Sequence, residues 1–182
     1  MACDITLGRL EPCKDSIGGI DTIYFINFGE LGLVTVAADD EITDMEGTFD
    51  AFKYDLKGVD NTLDEAGASS RDTGTTFFTQ TLSTTLKQIT KEMNNQLKLL
   101  MWGRPHIVVV DRNGNARMCG LERGCEVLTA NVLTGGAMGD LNGYTLSSVG
   151  EERAPANFLA GATIADPFAG MASATVTIVE GA

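Results

Sequence analysis

The segment "IDTIYFINF", opened by Gly18 and Gly19, carries apolar side chains on alternate positions of both parities. In an extended chain Ile23, Phe25 and Asn27 point one way, while Tyr24, Ile26 and Phe28 point the other. Such a strand is stable only where both faces of its sheet are covered, so the chain must build at least two layers around it. With 182 residues it is long enough to do so within one domain spanning residues 1–182.

The rest of the chain reads mainly as strands. "LVTVAA" predicts a short second strand, in a hairpin with the first, and the acidic "DDEITDMEGTFD" a turn region with a short strand around Ile42. In "AFKYDLKG", Phe52, Tyr54 and Leu56 alternate with Lys53, Asp55 and Lys57, the pattern of a half-buried strand. Residues 59–74, "VDNTLDEAGASSRDTG", show no sustained period and read as a long loop excursion between strands. "TTFFTQTLSTTLKQI" predicts one long strand with a bend near Ser83.

One helix is expected, over about residues 90–102. Thr90 suits its N-cap, Glu92 its first turn and Gly103 the C′ position, and Pro105 bars continuation. Met93, Leu97, Leu100 and Met101 form one apolar stripe, leaving Lys91, Asn94, Asn95 and Lys98 outside. "HIVVV" then reads as a buried strand, and Asn113-Gly114 predicts a tight primed-turn hairpin returning through "ARMCG". Strands follow at Cys125 to Leu133, at "YTLSSVGEE" and at "ASATVTIVE", with "APANFLAGATIADPFAG" irregular between the last two.

Chemistry-bearing patterns are few. Asp111, Asn113, Asn115 and Glu122 match positions 1, 3, 5 and 12 of a calcium loop, but Ala116 replaces the turn glycine and a β-branched run precedes it. The single His106 has no nucleophile elbow to serve and reads as a hydrogen-bonded structural residue. "GGAMGDLNG" lacks the Lys-Ser/Thr pair of a phosphate loop. Cys3, Cys13, Cys119 and Cys125 lack metal-ligand spacing, and whether Cys3 and Cys13 pair is left open. The expectation is therefore a non-enzyme without catalytic residues, cofactor or metal. No stretch approaches the ~18 apolar residues of a membrane helix, and nothing at the N-terminus reads as a secretory signal. A net charge of −12 leaves little from which to build a face that holds nucleic acid. It suits solubility, or a wall that repels a polyanion.

The segments "DTIYFINFG", "FKYDLKG", "SSRDTGTTFFTQTLSTTLKQ", "QLKLLMWGRPHIVVVDRNGNARMCGLERGCEV" and "AMGDLNGYTLSSVGEERAPANFL" cover roughly two thirds of the chain. In content and order they resemble bacteriophage tail tube proteins (major tail proteins), especially those of phages infecting gut Bacteroidetes. The resemblance implies a β-sandwich or barrel of the tail tube type with one flanking α-helix. Six copies would form a ring whose inner sheets join, and rings would stack into the tube of a virion assembled in the host cytoplasm. Residues 59–74 would be the family's long loop, with Asp60, Asp64, Glu65, Ser70, Arg71 and Asp72 as oligomer contacts. The implied partners are further copies of the chain and other tail or virion proteins, with DNA passing through unbound and no membrane involved. Two rivals stand beside this reading. One is another virion part of similar fold, such as a tail completion, connector or capsid decoration protein. The other is a small β-sandwich binding module or hydrolase built around His106 or the cysteines.

Overall fold

The computed structural model describes residue 5, residues 7–58 and residues 60–181. In chain order its elements are β1 (Ile20–Ile26), β2 (Val34–Val36), β3 (Ile42–Met45), β4 (Gly47–Asp55), β5 (Thr62–Ser70), β6 (Thr75–Lys87) and α1 (Lys91–Trp102). They continue with β7 (His106–Asp111), β8 (Ala116–Cys119), β9 (Glu126–Leu133), β10 (Gly143–Glu152), β11 (Asn157–Phe158) and β12 (Ala174–Glu180). The fold is mainly β with one helix.

Two sheets face each other. A six-stranded sheet has the order β11-β8-β7-β1-β4-β12, and a four-stranded antiparallel sheet the order β5-β6-β10-β9. Between them lies a core of Ile23 and Phe25 from β1, Ile107 and Val109 from β7, Leu82 and Leu86 from β6, and Tyr144 and Leu146 from β10. Tyr24 and Ile26 pack on the far side of the larger sheet with Val108, Met118, Phe49 and Phe168. The two-faced pattern of β1 thus becomes two cores. Each fully buried large apolar side chain contributes about 1.5–3 kcal/mol. The second core is closed by the β2–β3 hairpin and by the segment after β11, whose Leu159, Phe168 and Met171 are buried although it is irregular.

Several expectations need correction. The principal one concerns residues 59–74. Residues 62–70 are not a loop but the nine-residue strand β5, paired with β6 from Thr62↔Ser83 to Ser70↔Thr75. Its inward positions are Leu63, Glu65, Gly67 and Ser69, so only one of them is a large apolar residue and no hydrophobic alternation is visible. β2 pairs with β3 rather than with β1, whose neighbours are β4 and β7. β6 holds continuous register with β10 through Ser83. The irregularity lies instead on β9, where Leu128 is an extra residue between the pairs Ser147↔Thr129 and Ser148↔Val127.

The β7–β8 connection is also wider than a two-residue primed turn. Asp111 N–H donates to Asn115 C=O (3.0 Å), and only Gly114 has positive φ (+87°). Arg112, Asn113 and Gly114 thus form a three-residue loop with a left-handed glycine at its end. The Asp111 carboxylate accepts from the Asn113 and Asn115 N–H groups (2.9 Å each), which occupies it as a turn brace.

The helix begins where expected: Thr90 Oγ1 accepts from Met93 N–H at 3.1 Å. Leu97 is buried, Met93 and Leu100 are half-buried, and Met101 lies outside the stripe, 47% exposed. Asn94 accepts from the buried Tyr144 hydroxyl (2.8 Å), so it anchors the helix instead of facing only water. Gly103 ends the helix in an extended conformation (φ −92°), with its N–H bonded to Leu99 C=O. Cys3 lies outside the described residues.

Candidate functional site

The four-stranded sheet has two open edges and one face that the fold leaves uncovered. β5 pairs only with β6, and β9 only with β10, so each leaves one side of its backbone without a strand among the described residues. Neither strand contains Pro or Lys, the usual guards of an exposed edge. The sheet's outer face is made mostly by the polar half of each alternation, with Phe77, Val149 and Leu133 as apolar positions on it. β6 contributes Thr79, Thr81, Ser83 and Thr85, while its Gln80, Leu82, Thr84 and Leu86 turn inward and are buried. Opposite them stand Thr145 and Ser147 of β10, followed by Asn131 and Thr129 of β9.

Charge along the strands of this face is acidic, with cations at its ends. Asp64, Glu126 and Glu151 project from it and the exposed Asp60 lies at its rim, against Lys87 at the end of β6 and against Arg104 and Arg123, which line a depression with Glu126 and Glu151 at the other end. Hydroxyls can donate to phosphates, but the strands of this face carry no cation between its ends, so there is little to gain affinity by releasing counterions from a nucleic acid.

The six residues expected to make contacts do not converge. Asp60 lies ahead of β5, and Arg71 and Asp72 sit on the exposed turn at the far end of the β5–β6 hairpin. The nine strand residues between them span about 30 Å. Asp64 is exposed on the outer face, whereas Ser70 is half-buried and its hydroxyl accepts from Thr73 N–H at 3.3 Å. Glu65 points into the fold. One carboxylate oxygen accepts from Arg117 (2.8 Å) and the other from the Ala156 N–H (2.7 Å). It ties β5 to the larger sheet and is unavailable to a neighbour. The β9 edge was not among the expected contacts. The signal for the face was present in the strict Thr/Ser alternation of β6.

The chemically suggestive residues elsewhere are structural. His106 is buried and stacks on Phe28 (5.1 Å between centroids), which also carries the Arg104 guanidinium at 4.3 Å. Its Nδ1–H donates to Gly120 C=O at 2.6 Å, because a carbonyl can only accept. Burial pulls its pKa below the usual value. The Gly120 bond opposes that shift and Arg104 adds to it. Gly120 (φ +68°) also donates its N–H to Gln80 (2.9 Å), and a Cβ there would press on Cys125. Burial pushes the Cys119 thiol well up and the Cys125 thiol up to about 12, so neither is a thiolate nucleophile. Glu152 is raised by burial while it accepts from the Glu122 and Arg123 N–H groups (3.1 and 2.8 Å), bracing the turn that they occupy. Among the described residues no three His, Cys, Asp or Glu side chains are grouped so as to hold a metal ion. No helix among the described residues is long and apolar enough to cross a membrane.

No family model, no curated protein and no solved structure matches this chain.

Proposed function

We propose that this protein is a structural subunit of a bacteriophage tail tube that assembles with copies of itself into stacked rings. The observation that carries the reading is the pair of open edges, β5 and β9, on opposite sides of one fully antiparallel four-stranded sheet. An even number of alternating strands makes the two edges run in opposite directions. A copy rotated about an axis roughly along the strands therefore presents β5 to β9 in antiparallel register, the favoured pairing. That contact is heterologous, and it consumes both edges of the four-stranded sheet only when the ring closes, leaving β11 and β12 as the edges of the larger sheet. Six copies of four strands would close a barrel of about 24 strands, wide enough for a channel, since such barrels grow in proportion to strand number.

The polar outer face would then line the channel. Its carboxylates suit the passage of a polyanion, which a wall with few cationic contacts, Arg104, Arg123 and Lys87 at its ends, retains only weakly. The two-faced packing of the larger sheet leaves the smaller one free for this role, because the second core is already closed by the chain itself.

Electron microscopy and mass photometry of the purified chain test the reading, with rings and short tubes as the expected result. Ala66→Lys on β5 together with Thr129→Lys on β9 would place charge on both edges without touching either core. This variant should stay folded, with a Tm within a few degrees of the parent, and remain monomeric. A parent chain that stays monomeric at every concentration would overturn the reading, as would undiminished rings from the edge variant.

A further inference from the structure

The described residues before β1 are left uncovered by their own fold. Ile5 and residues 7–19 are exposed throughout and contain no helix or strand. Ile5, Leu7 and Leu10 are 95%, 86% and 91% exposed. Long-range hydrogen bonds hold this arm at its root: the Asn113 amide donates to Ile17 C=O (2.7 Å), and Ile17 N–H donates back to Asn113 Oδ1 (2.9 Å). The root lies beside the start of β5, because Ile17 and Gly18 share a surface depression with Asn61, Thr62 and Leu63.

On the opposite flank is a groove of about 540 Å³ between α1 and the β4–β12 pair. Phe52, Tyr54, Met93 and Val179 supply its apolar lining. Asp55, Glu92 and Glu180 stand around it with a single base, Lys53, already bonded to Glu180 (2.9 Å) and near Asp55 (3.7 Å). The groove lies at the same end of the fold as the arm root. β1 sets that level, since Ile20 is opposite Asp111, beside the root, and Thr22 is opposite Asp55, in the groove.

We infer that this groove receives the arm of a second copy, with Leu7 and Leu10 on the apolar lining and Arg9 against the carboxylates. Arg9 lies between the two leucines, and Gly8 beside it adds no bulk to the approach. A net-acidic rim around an apolar floor matches Leu7–Leu10, which is apolar with Arg9 as its one charge and ends before Glu11. Placement rests on the ring reading: pairing β5 with the next copy's β9 sets the arm root beside that copy's α1 flank. From Ile17 back to Leu7 the extended chain reaches about 33 Å, enough to cross the joint. The same length would let the arm fold back across its own sheet, and that is the rival arrangement.

Cross-linking separates the two. In a Cys3→Ser, Cys13→Ser background, chains carrying Gly8→Cys and differently tagged chains carrying Gln96→Cys are mixed under mild oxidation at assembling concentration. The expected product is a disulfide-linked pair of unlike chains. A cross-link found only within one chain bearing both cysteines, or none at all, overturns the inference. Arg9→Glu should raise the concentration needed for assembly about tenfold, and Arg9→Glu with Glu92→Arg should recover most of that loss. Rings of unchanged stability from a chain lacking residues 2–16 would overturn arm docking and leave the ring reading standing. A full-length chain that never associates overturns both.

Discussion

Glu65 and Arg117 join the two sheets through a 2.8 Å ion pair, with the second oxygen of Glu65 on the Ala156 N–H. The Glu65 side chain is only 15% exposed, so this is an interior brace of β5 rather than a surface pair. Glu65→Ala leaves a half-buried guanidinium and a backbone donor unpartnered, at a cost of about 2–3 kcal/mol. Thermal unfolding should show a Tm lower by roughly 5–10 °C for a chain of this size. Arg117→Ala should cost less, because Ala156 keeps its acceptor. Equal, negligible losses for both variants would show that β5 is held by its strand pairing alone.

The same brace decides which part of residues 59–74 can be removed. Deleting 62–73 would take out β5 and its ion pair, and the domain should not survive it. The dispensable part is the turn Arg71–Gly74, exposed throughout and closed by a left-handed Gly74 (φ +66°). Replacing those four residues with Asn-Gly supplies a two-residue hairpin turn of matching twist. The monomer's Tm should move by no more than a few degrees. If the hairpin tip contacts the adjacent ring, micrographs should show single rings where the parent gives stacks. Stacks of parental length would mean that Arg71 and Asp72 make no such contact.

How far these features are legible in the sequence follows from where each element finds its partner. β1 was readable because its partners on both faces are apolar, and α1 because Thr90 and the Met93/Leu97 spacing are local signals. β5 was not, because its central inward residue is a carboxylate whose partners, Arg117 and Ala156, lie 52 and 91 residues away. The parallel pairing of β12 with β4 is equally silent: Glu180 meets Lys53 across 127 residues, and no local pattern records it. The candidate site inherits this limit. Once the loop is a strand, its residues fall at opposite ends of an edge, and the matching edge β9 shows only as a bulged, weakly alternating segment.

His106 gives the fold a pH dependence of known sign. Burial holds its folded pKa below 6.5, so the unfolded chain takes up the proton first as the pH falls. This contribution is complete above the unfolded value and is lost as the pH drops through the folded one, by at most about 1.4 kcal/mol per unit. Glu152, raised by burial, acts oppositely near its own range, but it does so in parent and variant alike. Urea denaturation at pH 8 and pH 5.5 should therefore show a steeper loss for the parent than for His106→Gln, which keeps a donor for Gly120. Identical slopes would mean that His106 titrates as it does in the unfolded chain.

The cysteines should divide by burial rather than by intrinsic reactivity. Cys13 is exposed on the arm, whereas Cys119 and Cys125 lie in the core between the sheets with thiol pKa values pushed upward. A thiol must reach water and ionise before it attacks a reagent, and the buried pair does neither in the folded chain. At pH 8, mass spectrometry after brief alkylation should find Cys13 modified and the other two protected by at least about a thousandfold in rate, since they react only when the fold opens. In urea all four cysteines, Cys3 included, should label at similar rates. Comparable labelling of Cys125 and Cys13 in the native protein would mean that the sheets separate readily at Gly120 and Gly124. The His106–Gly120 bond would then fail to hold that end of the core closed.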